Sequence, residues 1–117
     1  MKFRFQDLKI WQSAIDIGSD LFDLAEMLDG KRLFKFAEQL RAAGLSMSNN
    51  IAEGSGSSSK KEFAQFLNIA RRSTFENANI LIVLHRRQLI SNEKLERLLD
   101  ELDHLCRQIT NFQKSLK

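Results

Sequence analysis

Apolar residues recur at helical spacing in four stretches of this chain. Leu8, Trp11, Ala14, Ile15, Gly18, Leu21, Phe22, Ala25 and Leu28 step by three and four positions and draw one stripe. Ile10, Ile17 and Leu24 widen it, while Asp16, Asp20 and Asp23 fall on the other side. This predicts a first helix from about Asp7, an acceptable N-cap, to about Leu28, with Asp29-Gly30-Lys31 as its stop signal. A second helix covers about residues 33–53, with Phe36, Leu40, Ala43, Met47 and Ile51 as its seam. Its middle, from Ala42 to Ser48, is rich in small side chains that let a neighbouring backbone come close. Gly54-Ser55-Gly56-Ser57-Ser58 then breaks the pattern.

The third helix, about residues 59–88, opens with Ser59-Lys60-Lys61-Glu62, a capping box. Its core stripe reads Phe63, Phe66, Leu67, Ala70, Asn77, Leu81 and Leu84. The fourth, about residues 92–116, starts after Ser91 or Asn92. It carries Leu95, Leu98, Leu99, Leu102, Leu105, Cys106, Ile109, Phe112 and Leu116 on one face. Glu93–Arg97 and Asp103–Arg107 are favourably spaced ion pairs. Four such helices with short connections predict an all-α, antiparallel up-down-up-down four-helix bundle, one domain over residues 1–117.

Composition agrees. The 117 residues are 43% hydrophobic and 28% charged, with no proline and only five glycines, too few turn formers for a β-sandwich or barrel. One cysteine, Cys106, cannot make an intramolecular disulfide, which points to a reducing cytoplasm. Neither a signal-peptide h-region nor an apolar run long enough to span a membrane is present.

Net charge is only +3, but it is unevenly placed. Residues 1–29 hold 3 basic and 6 acidic groups, whereas residues 58–89 hold 6 basic and 2 acidic ones. On a helical projection Lys60, Lys61, Arg71, Arg72, Arg86 and Arg87 share one half of the third helix, opposite its core stripe. Phe75, Ile82 and Val83 lie among them. That face has two readings: a solvated surface whose arginine stems cover apolar groups, or a surface for nucleic-acid phosphates. The outward apolar residues call for cover, which a symmetric oligomer would supply.

Other chemistry is weak. Glu101-x-x-His104 is half of a di-iron carboxylate motif, but His85 has Ile82 where the second motif needs a glutamate. His104 and Cys106 are two apart on a helix and diverge, and Cys106 reads as a buried small hydrophobe. Gly54-Ser55-Gly56 lacks the Gly-Lys-Ser/Thr and preceding strand of a phosphate loop. Asn49, Asn50 and Glu53 read as helix–helix hydrogen bonding or capping. No catalytic set, metal or cofactor is expected.

Three stretches carry a family resemblance. They are Phe5-Gln6-Asp7-Leu8-Lys9-Ile10-Trp11-Gln12-Ser13-Ala14; Gln39-Leu40-Arg41 with Ala43, Ser46 and Asn50-Ile51-Ala52-Glu53-Gly54; and Phe63 with Phe66-Leu67-Asn68-Ile69-Ala70, Ser73 and Glu76. The chain resembles the four-helix bundle proteins encoded in intervening sequences of bacterial 23S rRNA genes, in places labelled as a ribosomal protein. It departs from them at Ala42, where a second arginine is usual, at Ser48 (proline) and at Arg72 (glycine). The resemblance implies a closed homopentamer. It also implies kinship with the accessory variability protein of diversity-generating retroelements, a basic pentameric bundle that binds nucleic acid and a reverse transcriptase. For the intervening-sequence branch it implies a shape rather than an activity.

Two functional expectations follow. The first is a non-enzymatic oligomeric bundle that binds RNA or DNA by its phosphates through Lys60, Lys61, Arg71, Arg72, Arg86 and Arg87, with Arg41 as a weaker member. The second is a protein-interaction scaffold, or an accessory partner of the reverse-transcriptase type. There Phe75, Ile82 and Val83 build the oligomer, and the arginines meet an acidic partner such as a neighbour's first helix.

Overall fold

The structure, a computed structural model, describes residues 1–116. It consists of a 3-10 turn over Arg4–Asp7 and four helices, α1 Lys9–Gly30, α2 Phe34–Ser55, α3 Lys60–Arg86 and α4 Asn92–Ser115. Sequential helices pack side by side and antiparallel. The lightest helix–helix contact is between α1 and α4, which close the bundle. No described helix is long and apolar enough to cross a membrane.

The core is built of leucine and isoleucine in register. Leu21, Leu24 and Leu28 of α1 meet Leu40, Met47 and Ile51 of α2, Leu67, Leu81 and Leu84 of α3, and Leu98, Leu105 and Ile109 of α4, all fully buried. Each such side chain contributes roughly 1.5–3 kcal/mol by leaving water. On α1 the buried arc is centred on Ile10, Ala14, Ile17, Leu21, Leu24 and Leu28, so Ile15 and Phe22 fall outside it and are exposed. The expected stripe was too wide on that side. On α3, Ile80, Ser73 and Thr74 join the buried face, while Phe63 and Phe66 are only half-buried.

Three helix boundaries depend on local chemistry that differs from the expectation. Asp7 does not cap α1. The chain makes a 3-10 turn through Asp7, and extended Leu8 takes the N-cap position with no side-chain bond. Phe5 packs on Trp11 (ring centroids 5.3 Å apart) and holds that turn against the helix, while Asp7 pairs with Lys2 at 2.6 Å. Gly30 is not the turn residue either, since it lies in the last turn of α1. The left-handed position falls two residues later, at Arg32 (φ 62°). There the Leu33 N–H donates to the Leu28 carbonyl and the Arg32 N–H to that of Asp29, both at 2.9 Å, a Schellman motif. The end of α3 repeats it, with Gln88 (φ 63°) and 2.9 Å bonds from Leu89 to Leu84 and from Gln88 to His85. Ser59 and Ser91 cap α3 and α4, accepting from the backbone N–H groups of Glu62 and Lys94, each at 3.1 Å.

Up-down topology puts both Schellman turns at one end of the bundle. The serine-rich loop, the 3-10 turn and the start of α3 share the other end. There Arg4 donates to the Ser55 carbonyl at 2.7 Å.

Candidate nucleic-acid interface

α3 runs unbroken from its serine cap to Arg86, and its buried arc leaves about half of its circumference outside the bundle. Lys60, Lys61, Arg72 and Arg86 are exposed on that outer half. Arg87 is the helix C-cap rather than part of the helix, and it is exposed too. Arg71 is half-buried and donates to the Asn68 Oδ1 at 3.2 Å. The six cations are not one cluster. Lys60 and Lys61 stand at one end, Arg71 and Arg72 near the middle, and Arg86 and Arg87 at the other end, spaced by about 18–21 Å at 1.5 Å per residue.

Among the described residues these six carry no ion pair, and neither do Arg4, Lys9, Lys31, Arg32, Lys35, Lys94 and Lys114, whereas four other cations are paired. The pairs among the described residues are Lys2–Asp7, Arg41–Asp29, Arg97 with Asp20 and Glu101, and Arg107–Asp103. No cation of α3 takes part in one. Arg41 does: Asp29 hydrogen-bonds its guanidinium and raises its pKa further above an already high usual value. Arg41 is thus held across the α1–α2 turn, away from the α3 face. Arg97 also differs from expectation. It reaches Asp20 of α1 at 3.2 Å and Glu101 at 3.3 Å instead of Glu93, because Asp20 lies across the α1–α4 seam from it. Asp103 and Arg107 pair at 3.1 Å.

Two features escaped the sequence. Lys114, near the end of α4, lines one cleft with Lys60 and Lys61. Gln113 fixes that end by donating to the Ala64 carbonyl at 3.0 Å. Antiparallel pairing of α3 with α4 makes this lysine cleft, and no local pattern announces it. The second feature is an outer apolar patch of Ile15, Phe22 and Leu45 on α1 and α2.

Phe75 and Ile82 are exposed in the middle of the same α3 face, and Val83 is half-buried beside them. The cations and these apolar groups therefore share one surface. Cys106 is only half-buried, because it faces a groove between α3 and α4 with Thr74, Phe75, Ala78, Leu99 and Leu102 instead of the centre of the core. His104 is exposed. Among the described residues no three His, Cys, Asp or Glu side chains are grouped to hold a metal.

The Asn50–Gly54 motif builds the α2–α3 seam. Asn50 Nδ2 donates to the Ser46 carbonyl (2.8 Å) and to its hydroxyl (3.0 Å). The Ser46 hydroxyl shares a 2.8 Å bond with that of Ser73 on α3. One turn on, buried Asn77 donates to the carbonyls of Ala43 and Ser73, both at 2.8 Å. Ile51 is in the core, and Gly54 lies against Phe66 and Phe63. Ala52 is half-buried and Glu53 exposed. The motif thus specifies how two helices meet.

Curated proteins offer no match to this chain. A crystal structure of a protein of unknown function from the S23 ribosomal protein family of Bacteroides thetaiotaomicron shares the fold, with a TM-score of 0.85 at 22% identity. The alignment covers 90% of this chain and 98% of that one. Kinship with the retroelement accessory protein rests on the sequence resemblance alone. The family model of the 23S rRNA-intervening sequence protein matches residues 6–111, nearly the whole bundle, and the chain belongs to that family.

Proposed function

We propose that this chain is a non-enzymatic helical bundle that binds RNA or DNA through phosphates, with little reading of bases. One observation supports it above others. Lys60, Lys61, Arg71, Arg72 and Arg86 lie on one side of a continuous helix with Arg87 at its C-cap, and none of the six is ion-paired among the described residues. Phosphate binding needs cations in number rather than a pocket of special shape, and each phosphate neutralised releases a counterion. The test is a titration of labelled single- and double-stranded RNA and DNA at about 50 and about 200 mM salt. Affinity should fall steeply with salt and vary little with sequence. No binding at the lower salt overturns the reading.

A second reading, a self-assembling scaffold, is favoured by the apolar groups on the same face. Phe75 is 64% exposed and Ile82 39%. Large apolar groups in the middle of a helix face are a normal mark of a protein interface. Light scattering on the purified protein decides it, and a monomer at every concentration overturns it.

A further inference from the structure

At the end of the bundle that holds the serine-rich loop, aromatic rings run outward from half-buried Trp11 through Phe5 to Phe3. Phe3 lies on Phe5 with ring centroids 5.7 Å apart and planes inclined by 24°. Phe3 is 61% exposed, so the ring face turned away from Phe5 is in water. The turn beneath it is held firmly. The Phe3 N–H donates to the Gln6 Oε1 at 2.8 Å, the Gln12 Nε2 of α1 donates to the Gln6 carbonyl at 3.0 Å, and Arg4 ties the turn to the end of α2. Burial does not explain this order, because a ring left in water gains little from the hydrophobic effect. A ring fixed in water is instead a flat surface ready for another flat group, with its ordering entropy already lost.

Three clefts cross the same end and share walls. Phe3, Phe5 and Arg4 line the first, Arg4, Ser58 and Lys60 the second, and Lys60, Lys61 and Lys114 the third. Arg4 therefore stands between the first and second and Lys60 between the second and third, which makes one path from the Phe3 ring to the lysine cleft. The path is basic. Arg4, Lys60, Lys61 and Lys114 are exposed and carry no ion pair among the described residues. Against these four cations, Glu53 is the one carboxylate among the described residues that lines any of the three clefts. Glu53 belongs to the first cleft, with Phe3, so a run of negative charges is drawn to the lysine side and kept off the ring side.

We infer that this end binds an unpaired stretch of nucleic acid, with one base stacked on Phe3 and the adjoining phosphates running past Arg4 and Lys60 to Lys61 and Lys114. This rests on the phosphate-binding reading above and adds the kind of strand and the ring that selects it. A ring beside a line of cations suits a single strand, because each base offers a flat face and each nucleotide a charge. Stacking asks for no particular base, which agrees with little reading of sequence. In a duplex the base faces are taken up by their neighbours, and freeing one means unstacking it.

Fluorescence anisotropy tests this with a labelled single strand of about eight nucleotides and an abasic strand of the same length, at about 50 mM salt. Phe3→Leu stays apolar but has no ring. It should lose roughly fivefold or more in affinity for the intact strand and bind the abasic strand as wild type does. Phe3→Trp, with a larger ring, should match or exceed wild type. Lys114→Ala should weaken both strands, because it removes a phosphate contact. If Phe3→Leu equals wild type on the intact strand, or weakens the abasic strand as much, no base stacks on the ring and the inference is overturned. Unchanged affinity in Lys114→Ala takes the strand off this end and overturns it too. Wild type that binds duplex but no single strand overturns it and leaves the phosphate-binding reading in place, whereas binding of neither removes both.

Discussion

A Cβ at position 54 would stand 2.6 Å from the Cβ of Phe66, closer than two such carbons ever pack, so Gly54 is where α3 lies directly on the α2 backbone. The backbone there is ordinary helix, so the need is for space rather than unusual torsion angles. Gly54→Ala should destabilise the bundle by about 1–3 kcal/mol, despite the roughly 1 kcal/mol that alanine adds to helix propensity. Urea denaturation measures it. Stability at or above wild type would show that α3 can shift away freely.

Asn77 gives a contrasting case. It is fully buried, with both Nδ2 hydrogens used and its Oδ1 without a partner among the described residues. The carbonyls it meets belong to helix backbone, so removing it strands little, whereas an unpaired buried oxygen costs about 1–3 kcal/mol. Asn77→Leu should therefore lie within about 1 kcal/mol of wild type by the same denaturation measurement. A loss above roughly 2 kcal/mol would mean that the amide contributes more than its geometry indicates.

The Schellman turns are improvable. Arg32 and Gln88 hold left-handed torsion angles that glycine adopts without strain. Arg32→Gly and Gln88→Gly should each raise stability, by up to about 1 kcal/mol, in thermal unfolding. Destabilisation by either would show that the side chain makes an interaction worth more than the strain.

Cations of α3 and of α2 should behave differently toward nucleic acid. Lys60→Ala with Lys61→Ala should weaken binding and flatten the salt dependence by roughly 0.7–0.9 for each phosphate that is no longer neutralised. Arg41→Ala should leave both unchanged, because Asp29 already occupies that guanidinium. Equal effects at the two sites would place the interface on another face.

The pattern of apolar residues was enough for the architecture, because four long amphipathic stripes with short connections leave few ways to bury themselves. It did not locate the centre of each stripe. Ile15 and Phe22 fit the spacing of α1 as well as Ile10 and Ile17 do, and only the position of α2 decides which pair is buried. The α3 cations could be read directly, since sign and spacing are local. Their partners could not: Arg97 bonds to Asp20, 77 residues away, and not to the nearby Glu93. The Asn50–Gly54 run was legible as a family mark, but its role in spacing α2 from α3 depends on Phe66 and Ser73, which another helix brings in.

The unbroken length of α3 sets a scale for whatever binds it. Lys60 and Arg86 are about 39 Å apart along a rigid rod. That is close to one pitch of B-form duplex, roughly 34–36 Å. A trinucleotide cannot bridge such a gap, so short ligands should report more than one site per chain. Duplexes longer than about one pitch should report one.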